Sequence, residues 1–205
     1  MPTGAEWLVF LGTAAVFAIT PGPGILYVLA RSMRGGRAEG VRSALGNAIG
    51  AFAHVVAAAL GLSAVLAAST VAFTVVKYAG AAYLVYLGLR AILHRRDEGG
   101  QTARRLASSP LTQGILTELL NPKTALYFMA LLPHFVHPDQ APAPLVFMLL
   151  GLVALAMAAL ADVTVALSAA RLGARIMAKP RWRVRQRVAS GAVMIGLGGF
   201  VAVAD

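Results

Sequence analysis

A pair of prolines interrupts this chain where a helix breaker is hardest to tolerate. Residues 7–19 are apolar and uncharged, and residues 25–30 resume that character, yet Thr20-Pro21-Gly22-Pro23-Gly24 stands between them. The combined run is long enough to cross a bilayer, for which about 20 residues suffice. If the run is helical, Pro21 cannot donate to the carbonyl of Phe17, nor Pro23 to that of Ile19. In hydrocarbon each orphaned carbonyl costs several kcal/mol, so a break at this depth must face protein or a watery cavity. These residues alone leave two readings open: a packed proline kink, or a site built on a broken helix.

Composition sets the surroundings. Of the 205 residues, 59% are hydrophobic and 13% charged, with a mean hydropathy of +0.74. That balance indicates an integral membrane protein rather than a soluble domain. The net charge of +10 could suggest nucleic acid, but the basic residues sit in short loops between apolar stretches. Such placement is a topology signal, so no nucleic-acid partner is expected. Cysteine is absent, which excludes disulfides and thiolate metal sites. Residues 1–6 lack the basic region of a cleavable signal peptide, so the first apolar run reads as a retained span.

The expected fold is all-α and membrane-integral, with six transmembrane helices at about 6–30, 43–66, 71–93, 111–135, 145–170 and 188–204. Of the 18 Lys and Arg residues, all but Lys77 and Lys123, hence 16, lie at or in the loops after spans one, three and five. The positive-inside rule puts those loops in the cytoplasm and both termini outside. The link 67–76 is short and uncharged, and the loop 134–144 carries His137 and Asp139 but no Lys or Arg. Lys77 is expected to snorkel to the outer surface and Arg187 to the inner one. Residues 94–110, rich in Gly, Ser, Gln and Thr, read as a flexible cytoplasmic linker.

That linker divides a single membrane domain, 1–205, into a first repeat at 6–93 and a second at 111–204. Thr20-Pro21 is answered by Asn121-Pro122 at an offset of 101. Lys77, Ala79, Ala82, Leu87 and Gly88 are answered by Arg187, Ala189, Ala192, Leu197 and Gly198 at an offset of 110. Chance matching among Ala- and Leu-rich helices is the competing account. A repeat of three spans must insert upside down relative to its partner, so the arrangement expected is two inverted three-helix repeats, with helices one and four broken at Pro21 and Pro122. Secondary transporters follow this plan, with sites where discontinuous helices meet.

Polar residues at bilayer depth are costly and face a cavity or a partner. Glu118 and Lys123 flank Asn121-Pro122, and Pro122 frees the carbonyl of Glu118. Five residues apart, Glu118 and Lys123 could pair only across a broken helix; a charge-neutralising structural pair is the plainer reading. Asp162 has no charged neighbour in span five, so its partner must come from another helix, Lys123 being the economical candidate. A buried protonated carboxyl is the alternative. Asn47 and His54 lie two turns apart on one face of span two, as cavity-lining groups or simply satisfied hydrogen bonders. Gly46 and Gly50 form a small-xxx-small pair suited to close helix packing. Tyr83 and Tyr86 share a face of span three, and Tyr78 does not. No HExxH, Walker loop or cysteine nucleophile occurs, so no enzyme activity and no cofactor are expected.

Several strings fall in an order that resembles a known family: Thr20 to Gly24, Gly46 to Gly50 with His54, the run Lys77-Tyr78-Ala79-Gly80-Ala81-Ala82-Tyr83-Leu84-Val85-Tyr86-Leu87-Gly88, Asn121-Pro122-Lys123, and Leu132-Pro133-His134-Phe135-Val136. Over nearly its whole length the chain resembles the LysE/RhtB amino-acid exporters, its size being closer to the homoserine/threonine/leucine branch. The resemblance implies a six-span bacterial inner-membrane protein that exports amino acids, driven by proton exchange, with Asp162 as the family's span-five aspartate. On that basis Thr20, Pro21, Gly22, Pro23, Gly24, Asn47, His54, Asn121, Pro122 and Lys123 are the expected substrate-binding residues, and Asp162 and Glu118 the proton-coupling pair. The half-helix N-termini after Pro21 and Pro122 would receive the substrate carboxylate. Freed carbonyls of Phe17, Ile19 or Glu118, with Asp162, would hold the ammonium. The partners implied are an amino acid, protons and the lipid bilayer, with a homo-oligomer left open. Rival readings are a six-span channel, a divalent-cation exporter with Glu118, His54 and Asp162 as ligands, and a membrane enzyme or sensor using Asp162 and His54.

Overall fold

The computed structural model describes residues 2–93, 109–177 and 180–203. Residues 94–108 of the linker, and the side chain of Arg187, lie outside those described. Among the described residues the secondary structure is helical, with no strand.

Helix α1, Gly4–Ile19, opens with a reciprocal cap: Thr3 accepts from the Glu6 amide and Glu6 accepts from the Thr3 amide. It ends where Pro21 forbids another turn. Helix α2, Pro23–Ala57, restarts at once, with Pro23 at its first position, where a missing N–H costs nothing. A π-helical turn, Ala58–Leu62, leads into α3, Ser63–Ala68. Only Ser69 then separates α3 from α4, Thr70–Leu93, and its hydroxyl accepts from the Ala72 amide. The expected link 67–76 is thus one capping residue.

The second half restarts with α5, Pro110–Leu119, which breaks at Leu120-Asn121. Helix α6, Pro122–Leu126, begins with Asn121 as N-cap, its side chain accepting from the Lys123 amide. A π-helical turn, Tyr127–Leu131, and a 3₁₀ turn, Leu132–Phe135, continue it. Helices α7, Ala143–Met177, and α8, Pro180–Val203, complete the chain.

Two expected loops prove helical. The arginine-rich stretch is helical on both sides of Gly36, but at Gly36 φ is 74° and ψ −170°, a region only glycine occupies without strain, and there one helix gives way to the next. Helix α7 likewise runs past residue 170 to Met177. Three helical stretches are long and apolar enough to cross a membrane, at Pro23–Ala68, Thr70–Arg90 and Ala143–Ala169, while Gly4–Ile19 and Val188–Val203 are shorter apolar helices. The breaks explain why the two proline-interrupted segments fall short of that length.

Helix α2 packs against α5 and α7, α1 against α7, and α4 against α8. Close approach is permitted by glycine: the Cα atoms of Gly46 and Gly114 face each other, with 3.0 Å between either one and a Cβ built on the other. At the α4–α8 crossing, a Cβ on Gly88 would sit 2.6 Å from the Gly191 carbonyl, and one on Gly191 2.5 Å from that of Gly88, with Ile195 and Ile92 flanking reciprocally. Both pairs are offset by 103 (191 − 88 and 195 − 92), two helical turns short of the offset of 110 seen in the sequence match. The core lies between α1, the helix after the second break, and α7. Phe10 meets Phe135 edge-on at 5.4 Å, and Phe17 stacks on Tyr127 at 4.1 Å. Outward-facing leucines and isoleucines such as Leu8, Ile19, Leu60 and Leu160 are largely exposed, the belt a lipid-facing surface requires.

Candidate functional site

The two helix breaks meet. Lys123, one residue past Pro122, is buried and extends to the end of α1, where its Nζ donates at 2.7 Å to the carbonyls of Phe17 and Thr20. The first is the carbonyl that Pro21 orphans. The ammonium also lies 4.3 Å from the centroid of the Phe17 ring. A cation at a helix C-terminus is favoured by the macrodipole as well as by the free carbonyls.

The carbonyl freed by Pro122 is satisfied too. Glu118 O accepts from the Asn121 amide at 3.0 Å and from His54 Nε2 at 3.1 Å. Since a carbonyl only accepts, His54 carries its proton on Nε2 here. Ser190, from α8, donates its hydroxyl to the Pro21 carbonyl. The carbonyls of Phe17, Thr20, Pro21 and Glu118 are thus met by side chains from elsewhere in the chain, as exposed carbonyls at bilayer depth require.

The acids have their own partners. Glu118 accepts from Asn121 Nδ2 at 3.0 Å through Oε2, and from the Thr124 hydroxyl through Oε1. Its carboxylate abuts Gly24 in the first turn of α2, where any Cβ would overlap Oε2. Asp162 accepts from Asn47 Nδ2 at 2.8 Å. Its direct partner is thus Asn47, not the Lys123 expected from the sequence, and Lys123 is bonded to carbonyls rather than paired with Glu118. Asn47 Oδ1 is buried with no donor among the described residues.

These groups enclose a cavity of about 30 Å³ lined by Gly22, Gly24, Glu118, Asn121, Lys123 and Asp162, with Phe17, Thr124 and Ala158 completing the wall. That is room for a water or two. Of the other expected site residues, Thr20 turns its hydroxyl back to Val16 O at 2.5 Å, and His54 supports the Glu118 carbonyl from outside the cavity. Pro21, Pro23 and Pro122 act by shaping the breaks. Thr124, Ser190 and the Phe17 ring were not singled out in the sequence, and for Ser190 no signal marks it among the small residues of α8. Among the described residues no three His, Asp or Glu side chains converge as a metal site would need. Chemically, the pocket brings a buried ammonium, two buried acidic side chains and two helix breaks together, which suits the binding of small charged groups and protons.

The family model for the LysE type translocator matches residues 15–205. This chain belongs to the LysE family. The translocator is 32% identical over 200 residues, covering 97% of each chain, to an uncharacterized membrane protein of Vibrio cholerae. It is 29% identical over 206 residues to the homoserine/homoserine lactone efflux protein of Salmonella typhimurium, covering 97% of this chain and 96% of that one. To the leucine efflux protein of Klebsiella pneumoniae it is 30% identical over 150 residues, covering 72% and 71% respectively. No solved structure matches the translocator.

Proposed function

We propose that this LysE-family translocator exports amino acids, small neutral ones such as threonine, homoserine or leucine, across the bacterial inner membrane in exchange for protons. The observation that carries the reading is the meeting of two helix breaks around Lys123, Glu118 and Asp162 in a chain related to amino-acid efflux proteins. An amino acid brings one positive and one negative charge, and the pocket offers helix ends of both signs plus the two acidic side chains of Glu118 and Asp162. In this reading Thr20, Pro21, Gly22, Pro23 and Gly24 with Asn47, His54, Asn121, Pro122 and Lys123 frame the substrate site. Asp162 and Glu118 exchange the proton. Ligand pockets run to about 300–1,000 Å³, so a cavity of about 30 Å³ corresponds to the closed carrier.

Six spans in two inverted repeats, 6–93 and 111–204 with a cytoplasmic linker, are the architecture we infer. The reciprocal Gly88–Gly191 crossing supports it, because a two-fold relation brings equivalent positions face to face. We infer that both termini face outside. Glu6 at the start of α1 receives His137 Nε2 at 2.9 Å, putting the N-terminus beside the loop free of Lys and Arg. Tyr27 OH donates to Pro110 O at 3.0 Å, and Arg31 pairs with Glu39 at 3.2 Å, grouping the basic ends of spans one and four. The metal-efflux alternative is disfavoured, since His54 is turned to a backbone carbonyl.

Asp162→Asn tests the reading. It keeps the shape and a partner for Asn47 but cannot carry a proton, and proton-driven efflux from proteoliposomes should fall by at least about 100-fold, as expected for loss of an intramembrane ionisable group. Full transport by a well-assembled Asp162→Asn protein would remove Asp162 from the coupling step.

A further inference from the structure

Among the described residues no carboxylate pairs with the buried ammonium of Lys123, although two acidic side chains line the same cavity. Each acid is instead held by neutral donors, Glu118 by Asn121 and Thr124, Asp162 by Asn47. The lysine has taken a different seat. Two carbonyls accept from Nζ at 2.7 Å, those of Phe17 and Thr20, and the Phe17 ring centroid lies 4.3 Å away. Carbonyl acceptors, the negative end of a helix and an aromatic face are what recognise a primary ammonium. The α-ammonium of an amino acid is the same chemical group as the lysine ε-ammonium.

The path to the seat is kept clear. Where the stem of Lys123 crosses Gly22, a Cβ would lie 2.9 Å from its Cδ. The adjoining space, about 30 Å³, cannot hold an amino acid while the lysine is in place. We propose that Lys123 is a tethered stand-in for the substrate: in the empty, closed carrier its ammonium fills the seat formed by Phe17 and Thr20, and the substrate's α-ammonium enters by displacing it. This assignment rests on the amino-acid export reading and names the part of the site that receives the ammonium. The displaced lysine has Glu118 and Asp162 across the same cavity, so neither the seat nor the lysine is left without a counterpart. A carrier with such a stand-in closes while empty; one without it closes readily only when loaded.

The experiment uses the full chain in proteoliposomes with labelled homoserine and labelled leucine as probes. It compares net efflux, which needs the carrier to return without amino acid, with exchange, which does not. Lys123→Met keeps the length of the side chain and removes its charge. Net efflux should fall by at least about tenfold, the effect of losing one charge-assisted hydrogen bond, and by more than exchange falls, so that the ratio of net efflux to exchange drops. Gly22→Ala retains the lysine but obstructs its stem, and should lower the ratio of net efflux to exchange in the same direction. Parallel loss of both modes in Lys123→Met at unchanged abundance and thermal stability would overturn the proposal, as would undiminished net efflux. If Lys123→Met fails to assemble, the Gly22→Ala ratio decides, and an unchanged ratio overturns it. A wild-type protein that exchanges no amino acid overturns the export reading itself and the stand-in with it.

Discussion

The two helix breaks are built from opposite materials. The first, Phe17 to Gly24, holds no charge and contributes backbone: two carbonyls to Lys123, another to Ser190, and a bare glycine surface against Glu118. The second, Glu118 to Thr124, contributes side chains: an acid, an amide, an ammonium and a hydroxyl. One break is a mould and the other is what fills it. Proline and glycine suffice for the mould because opening a helix exposes its own dipolar ends, whereas the filling must be placed residue by residue.

The mould is easier to spoil by adding atoms than by removing them. Gly24→Ala would push a methyl into Glu118 Oε2 and to within 2.9 Å of Asn47 Nδ2. Displacing that carboxylate from Asn121 and Thr124 should lower transport by about 100-fold, equivalent to two charge-assisted hydrogen bonds, measured as initial efflux rates. The filling is spoiled by deletion. His54→Ala leaves the Glu118 carbonyl with only its partner at the Asn121 amide, and should destabilise the protein by about 1–3 kcal/mol, read as a lowered unfolding midpoint in detergent. His54→Gln, which can still donate, should recover part of that loss. Ser190→Ala touches the mould from outside and should cost about 0.6 kcal/mol, the average of interhelical hydrogen bonds in membranes. A Ser190→Ala protein as impaired as Gly24→Ala would show that the first break depends on α8 more than on its own backbone.

The mould was legible in the sequence because its logic is local. A proline at residue 21 or 122 names the carbonyl it orphans, Phe17 or Glu118, without knowledge of the fold. The donor that answers each carbonyl was not legible. Lys123 reaches Phe17 across 106 residues of chain and His54 reaches Glu118 across 64, and such separations are fixed only by packing. Asp162 was recognised as needing a partner, but Lys123 carried the obvious opposite charge and Asn47 the actual bond. The α4–α8 contact was not legible for a different reason. Ala, Gly and Leu recur so regularly in both helices that the pattern does not single out the Gly88–Gly191 crossing. Around Gly36 the arginines suggested a loop, and a single non-helical glycine serves as the junction between two helices.

Helix α1 is fastened at both ends to the other half of the chain. Its first turn is clasped by His137 through Glu6, and its last carbonyls are gripped by Lys123. It also packs along α7. In mechanical terms α1 is a tie rod borrowed by the second half and continuous with α2 through residues 20–22. Any tilt of the second half would drag α1 along and be absorbed at Pro21 and Gly22, so the first break is where such a strain would be felt.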